Sequence, residues 1–518
     1  MSDKFIIDSG EDWTFEKIHT VNEILAKQAK EKYGLDTFPN QLEIVSYEQM
    51  LDCYASVGLP IMYDHWSYGE AFLQYSTAYK KNHMGLAYEM VLNSNPCISY
   101  LMEQNTMLMQ ALVIAHAAYG HNHVYKNNFL FKEWTDPEGI LDYMTYAKKY
   151  IKKCEEKYGL TEVESILDAA HALKLHGIDR YKRPSKLSIV EEEKRKEERD
   201  RYLESQINEL WNFSVHKKEK TKNGDEEKFP KEPQENILYF LEKNAPRLET
   251  WQREILRIVR KVAQYFYPQL GGQTSLIHEG AATFFHYNLM RDLYDMGHIT
   301  DGGWQEFIVS HTGVIRQDDH AARFNVYALG FAMFQDIERL STQPTQEDKN
   351  WFKGQQWVGN NDPYGNIRWA IANFRDESFI LQFLSPTVMR RFKMFTILDN
   401  EELDYLEVTG IQNEEGYKLI RKNLASLSDI SNSIPNISII EVDRWGDRSM
   451  VLEHTIKNGK LLHDTNVNDT LNHLAYLWQY PVLLQSITRT EDGKSKVVAE
   501  FEADPSRVLP SDFTLSDI

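Results

Sequence analysis

The sequence predicts an α+β protein, with a large, mainly α-helical N-terminal core over residues 1–375 and a smaller ferredoxin-like α+β domain over 376–518. Two observations carry this reading. Apolar residues recur at helical spacing through most of the first 375 positions, and the period shifts towards two beyond them. The length of 518 residues also exceeds what one ordinary core holds.

The helical segments share a form: an acidic start, an amphipathic body and a Gly exit. EDWTFEKIHTVNEILAKQAKEKYG, DPEGILDYMTYAKKYIKKCEEKYG and TEVESILDAAHALKLHG all follow it, because Gly readily adopts the left-handed turn that stops a helix. A further helix is expected from Cys97 through NTMLMQALVIAHAAYG, with Pro96 at its start. At 186–233, EEEKRKEERDRYLESQ and HKKEKTKNGDEEKFPKEP read as a charged helix and a polar connector, a solvated surface excursion. Helical pattern resumes in PQENILYFLEKNAP, WQREILRIVRKVAQYFY, LIHEGAATFFHY and YALGFAMFQDIERL, so the segments on either side of the connector are expected to complete one core. Beyond 376, YLEVTGI, ISIIEVDR, RSMVLEHTI, VLLQSITRT and KVVAEFEA read as strands, with helices in NEEGYKLIRKNLASL and VNDTLNHLAYLWQY. The order β-α-β-β-α-β with a trailing strand is the ferredoxin-like expectation.

The load of 28 Tyr, 24 Phe and 11 Trp points to packed interiors. A net charge of −19 argues against nucleic acid or an anionic membrane as partner, both of which need a basic surface. MSDKFIIDSGEDWTFEKIH lacks the pattern of a secretory signal, and the most apolar run, MLMQALVIAHAAYG, is too short to span a bilayer. No membrane insertion is expected. Cys53, Cys97 and Cys154, without a CxxC, exclude a disulfide framework and a cysteine-rich zinc module, which makes a reducing, cytoplasmic location the expectation.

The candidate chemistry centres on LIHEGAATFFHY (276–287). It is not the zinc-protease pattern H-E-x-x-H, because Ala282 stands four residues after His278. Glu279 and His286, seven apart, lie in line on one helical face with Thr283 between them, and Gly280, Ala281 and Ala282 leave room for another helix to approach. His116 and His121 are five apart, about 140° on an ideal helix, and converge only if the helix ends or distorts between them, near Gly120. Asp168 and His171 share a face, while His65 and His311 sit in loop-like contexts. Imidazole and carboxylate groups suit zinc, iron or manganese. The competing reading of each His is a core residue with both nitrogens hydrogen-bonded. Cys97 at a helix start would have a lowered thiol pKa and be a candidate nucleophile, against a purely structural role. Glu89 and Glu103 could supply carboxylates to the same interior, and KNN (126–128) and DRYKRP (179–184) either bind an anion or anchor loops.

HWSYG, LAYEMVLNSNPCISYLMEQNT, AHAAYGHNHVYKNN, HALKLHGIDRYKRP, PQENILYFLEKNAPRLETWQREILRIVRKVAQYFYPQ, EGAATFFHY and YALGFAMFQDI together resemble the stage V sporulation protein R (SpoVR) family over nearly the whole chain. The resemblance implies a cytoplasmic bacterial protein, tied to spore cortex formation in spore formers and to stationary-phase and stress responses elsewhere. It also implies a PrkA-type serine kinase and a von Willebrand A-like protein as partners. The family pattern reads Asn-Glu-Gly-Trp-Ala-Thr where this chain has His278-Glu279-Gly280-Ala281-Ala282-Thr283, so the resemblance leaves His278 out of the ligand set. His123 and His176 drop out likewise. The matching polar set is His65, His116, His121, His171, Glu279, His286 and His311.

An AH-x-x-x-GH helix followed by a distant EG-x-A helix is also loosely similar to the zincin-like gluzincin metallopeptidases. Ala117 stands where those enzymes place a catalytic Glu, so peptidase chemistry would need another base. The resulting expectation is a metal-dependent, hydrolase-like centre with His116, His121, Glu279 and His286 as metal ligands, and with Glu279 and His286 as the catalytic pair. The alternative is a non-catalytic member of a kinase-containing complex, docking through its C-terminal domain and connector, whose buried His–Glu network only specifies the fold.

Overall fold

The computed structural model describes residues 5–7, 12–56, 59, 61–81, 89–180, 228–318, 323–398, 407–411, 413–444, 446–457, 459–489 and 495–505. The segment 191–206, expected as a charged helix, most of the expected connector and residues 181–184 lie outside the described residues. The chain divides into two compact units, Met1–Tyr146 with Pro268–Ile430 and Ala147–Tyr267 with Ser431–Ile518. The first is mainly helical, the second joins helices to a four-stranded sheet, and the class is α+β.

In the first unit the central element is the helix Ser275–Asp295, apolar on almost every face and therefore enclosed. Small residues let its neighbours come close. A Cβ on Gly280 would lie 2.5 Å from Gly330 Cα on the helix Val326–Thr342, and a Cβ on Gly120 would lie 2.6 Å from Ala282 Cα. The helix start is closed by Asp376, whose carboxylate accepts the Leu276 N–H at 2.7 Å and the Ile277 N–H at 3.0 Å. Burial pushes the Asp376 carboxyl up to about 7 against the pull of these two donors. Asp376→Ala leaves two buried N–H groups without an acceptor and is expected to lower the unfolding free energy by roughly 2–4 kcal/mol. Urea denaturation of the full chain, compared with the parent protein, checks this.

A small sheet flanks these helices: β1 (Asn40–Val45), β2 (Glu89–Leu92) and β3 (Cys97–Met102), in the order β1-β3-β2, with β1 parallel and β2 antiparallel to β3. This corrects the helix expected from Cys97. NSNP is the turn of a hairpin, and the helix begins only at Met107, where the Thr106 hydroxyl accepts the Met109 N–H at 3.2 Å. Cys97 is fully buried on the central strand, burial pushes its thiol up to about 12, and the nucleophile reading falls.

The boundary expected at 376 does not coincide with the edge of either unit. Asp376 caps the central helix, and the helix Glu414–Leu427 packs on the helix Asp376–Phe383, so residues 376–430 stay in the first unit. A hairpin of β4 (Thr396–Leu398) and β5 (Glu407–Thr409) lies between them in sequence. β5 is the first of the expected C-terminal strands, and it pairs with β4 rather than with the later ones. The larger sheet, in the second unit, therefore runs β6 (Ile437–Val442), β7 (Met450–Thr455), β8 (Val482–Arg489) and β9 (Ser495–Ala503) in sequential order. Two antiparallel hairpins meet at the parallel β7–β8 pair, joined by the helix Asp464–Trp478.

The segments flanking the connector belong with this sheet and not with the central core. Gln234 and Ile439 exchange backbone hydrogen bonds, and Arg180 bonds to Glu235, the Ile434 carbonyl and Asn436.

Candidate metal centre

The helix that starts at Met107 runs regularly to Ile114, continues as a π-helix over Ala115–His121 and returns to α-helix over Asn122–Asn127. A π-turn closes i to i+5, so side chains five apart lie nearly above one another. This is the distortion that the His116–His121 spacing demands, and the two ring centroids are 4.5 Å apart. Gly120 serves another purpose: its missing side chain is the space that Ala282 occupies.

Two carboxylates face this pair. His116 Nε2 lies 3.3 Å from Glu89 Oε1 and 3.6 Å from Glu279 Oε2, and His121 Nε2 lies 3.6 Å from each. Glu89 opens β2 and Glu279 rises from the first turns of the central helix, so three separate elements supply the four groups. The imidazoles are buried, while the Glu89 and Glu279 side chains keep 17% and 25% of their surface exposed. Glu89–His116–His121 and His121–His278–Glu279 are both groups that could hold a metal ion.

The fit to a cation rests on spacing and on unsatisfied atoms. Tetrahedral bonds of about 2.0–2.2 Å, the range for zinc with nitrogen and oxygen donors, set donors roughly 3.3–3.6 Å apart, the span of the four imidazole-to-carboxylate distances here. Of the four donor atoms, Glu279 Oε2 is buried without a hydrogen-bond partner, and so are the neighbouring Glu89 Oε2, His121 Nδ1 and His278 Nε2. Buried polar atoms are seldom left so. Burial alone would raise the Glu279 carboxyl, yet His121 and His116 hold it down at about 2. Burial would depress His116, and Glu89 and Glu279 outweigh it and raise the ring above its ordinary value. Burial and the carboxylates of Glu279 and Glu89 keep the Tyr327 phenol protonated, with Glu279 as a hydrogen-bond partner.

A family model described as SpoVR like protein matches residues 12–433, and one described as SpoVR-like C-terminal domain matches 435–489. The chain belongs to the SpoVR family. It is 49% identical over 496 residues to the uncharacterized protein YcgB of Escherichia coli (strain K12), covering 95% of this chain and 96% of that relative. No solved structure matches it. Among the described residues, no helix is long and apolar enough to cross a membrane.

Of the four ligands expected for this SpoVR-family chain, His116, His121 and Glu279 converge, joined by Glu89. His286 stands behind them, with Nδ1 2.7 Å from His116 Nδ1 and Nε2 2.8 Å from His311 Nδ1, so both of its nitrogens face histidines. His278, set aside on the family pattern, is brought in: its ring stacks on His121 at 4.3 Å. The other expected site residues do other work. His65 caps the helix Trp66–Lys80, and His171 lies in the second unit on the helix Leu160–Ala172. His123, which the family pattern also set aside, accepts the Asp36 N–H at 3.0 Å. In the KNN cluster, Lys126 pairs with Asp36 at 2.6 Å and Asn128 binds the carbonyls of Ile371 and Phe374, which is loop anchoring.

Glu89 and Tyr327 were within reach of the sequence. YEMVL followed by NSNP and an apolar run is a hairpin signal, and reading Pro96 as a helix start hid the strand that carries Glu89. Tyr327 sits three residues before Gly330, on the helix that Gly280 admits to contact.

Proposed function

We propose that this SpoVR-family protein is a metal-dependent enzyme of hydrolytic type, its cation held by His116, His121 and Glu279, with Glu89 as general base. The observation that carries this reading is the convergence of Glu279 Oε2 on His116 Nε2 and His121 Nε2, 3.6 Å from each, with a second carboxylate, Glu89, beside the same two nitrogens. A bound zinc, iron or manganese ion supplies a Lewis acid for a carbonyl or phosphoryl oxygen. Three protein ligands leave a coordination position open, the habit of catalytic sites as opposed to structural ones. Glu89, 3.3 Å from His116 Nε2, takes the place of the carboxylate that Ala117 cannot offer, and it accepts the proton of the attacking water. Tyr327, kept neutral beside Glu279, donates a hydrogen bond to charge that develops on the substrate. The physiological setting is the one the family resemblance implies, spore cortex formation or the stationary-phase stress response.

Glu89→Gln tests the catalytic part. A three-ligand site keeps its metal in this variant, at about the parent stoichiometry. Loss of the metal would make Glu89 a fourth ligand and the site a closed, structural one, and the hydrolytic reading would go with it. Metal affinity is also expected to fall with pH. The two carboxylates raise His116 above its usual 6.5, and a protonated ring cannot coordinate, so binding weakens as the pH drops through the imidazole range. Competition against a chromophoric chelator at about pH 8 and about pH 6 reads this, and equal affinities would remove His116 from the ligand set.

A further inference from the structure

Behind the donor cluster three imidazoles stand in line. His116 Nδ1 meets His286 Nδ1 at 2.7 Å, and His286 Nε2 meets His311 Nδ1 at 2.8 Å. Each of these contacts needs one N–H and one lone pair. The reasoning rests on the metal reading above: His116 Nε2 faces the carboxylates and must present a lone pair to a cation, so its proton sits on Nδ1. His286 must then accept at Nδ1 and carry its own proton on Nε2, and His311 must accept at Nδ1. Reversing any one ring sets two protons or two lone pairs face to face. The ring planes are set by packing: His286 lies 6.1 Å from Phe307, and His311 lies 4.9 Å from Tyr287 and 5.1 Å from Phe331.

We propose that His286 and His311 are positioning residues that hold His116 in the one tautomer able to coordinate a cation, and that neither is itself a ligand. A ligand imidazole whose second nitrogen is held by a hydrogen bond keeps both its orientation and its basicity, and loss of such a partner costs about 10–100-fold in metal affinity.

The test separates this hydrogen bond from mere space-filling. Affinity for Co²⁺ is measured by chelator competition on the full chain for the parent, His286→Leu and His286→Asn. Asn can place its amide oxygen where Nδ1 accepts, whereas Leu fills the apolar space and accepts nothing. The positioning role predicts a loss of about 10–100-fold for Leu and only a few-fold for Asn. A packing role predicts the opposite order, since Leu suits the wall formed by Phe307 better than Asn does. In the parent protein, ¹⁵N-histidine spectra should show His116 protonated at Nδ1.

Parent-like affinity in His286→Leu, Asn weaker than Leu, or His116 protonated at Nε2 in the metal-bound form would each overturn the proposal. If the parent binds no Co²⁺, the metal reading falls and this inference with it. If the parent binds and His286→Leu binds equally well, only this inference falls. The same two substitutions at His311, one ring further out, should give the same order with smaller losses, and they carry the test if the His286 variants do not fold.

Discussion

Glu279→Gln is expected to lose its bound cation and keep its fold. Glu279 supplies one of three ligands, and its removal should weaken binding by more than the about 100-fold upper cost of losing a partner behind a ligand. The fold should survive because Gln is nearly isosteric and the side chain is a quarter exposed. No buried charge need be left unpaired, because the facing imidazoles can become neutral when the carboxylate is gone. Removing the carboxylate also takes away a group that raises His116, so that ring loses part of its reason to be protonated in the cation-free protein. Metal content and a thermal melt on the same sample check both halves. A metal-replete variant would place the cation elsewhere, and an unfolded one would make Glu279 structural.

Gly280→Val should produce the largest loss of stability. The first side-chain atom would stand 2.5 Å from Gly330 Cα and 2.6 Å from its carbonyl carbon, backbone atoms that cannot rotate away. The two helices must separate, at a cost of about 3 kcal/mol or more, at or above the upper end of the usual overpacking range. Glu279 is the adjacent residue, so the shift should also pull its carboxylate from the donor cluster and lower metal content in whatever fraction folds. Gly69→Ala is the control. It lies inside the helix Trp66–Lys80 with nothing within 4 Å of the added atom, and it should be neutral or stabilising by up to about 1 kcal/mol. Equal melting points for the two variants would mean that the seam is not a close contact.

The features legible in the sequence were those set by short-range periodicity. The stripe of Glu279, Thr283 and His286, the small residues beside it, and the helices closed by Gly34 and Gly159 all follow from local pattern, and both glycines have positive φ. The five-residue spacing of His116 and His121 showed that a distortion was needed, but its form, a π-turn, depends on the helices packed around it. The place of His286 was open to arithmetic. At about 1.5 Å of rise per residue, a group seven residues from Glu279 stands roughly 10 Å along the axis, too far to share one ion with it. His116 spans that gap, with Nε2 towards Glu279 and Nδ1 towards His286.

What stayed hidden was long-range. The parallel pairing of β1 with β3 joins segments more than fifty residues apart, and no local signal specifies it. The return of residues 147–180 and 228–267 to the unit of the C-terminal sheet is of the same kind, since an amphipathic helix does not record which apolar surface it will cover.

The most direct test of the metal centre is elemental analysis by inductively coupled plasma mass spectrometry on untagged protein purified without chelator, parent beside His121→Ala. The parent should carry zinc, iron or manganese at about one per chain, and the variant, folded by circular dichroism, should carry almost none. Folded parent protein that holds no metal and takes up none of the three when they are supplied would contradict the account.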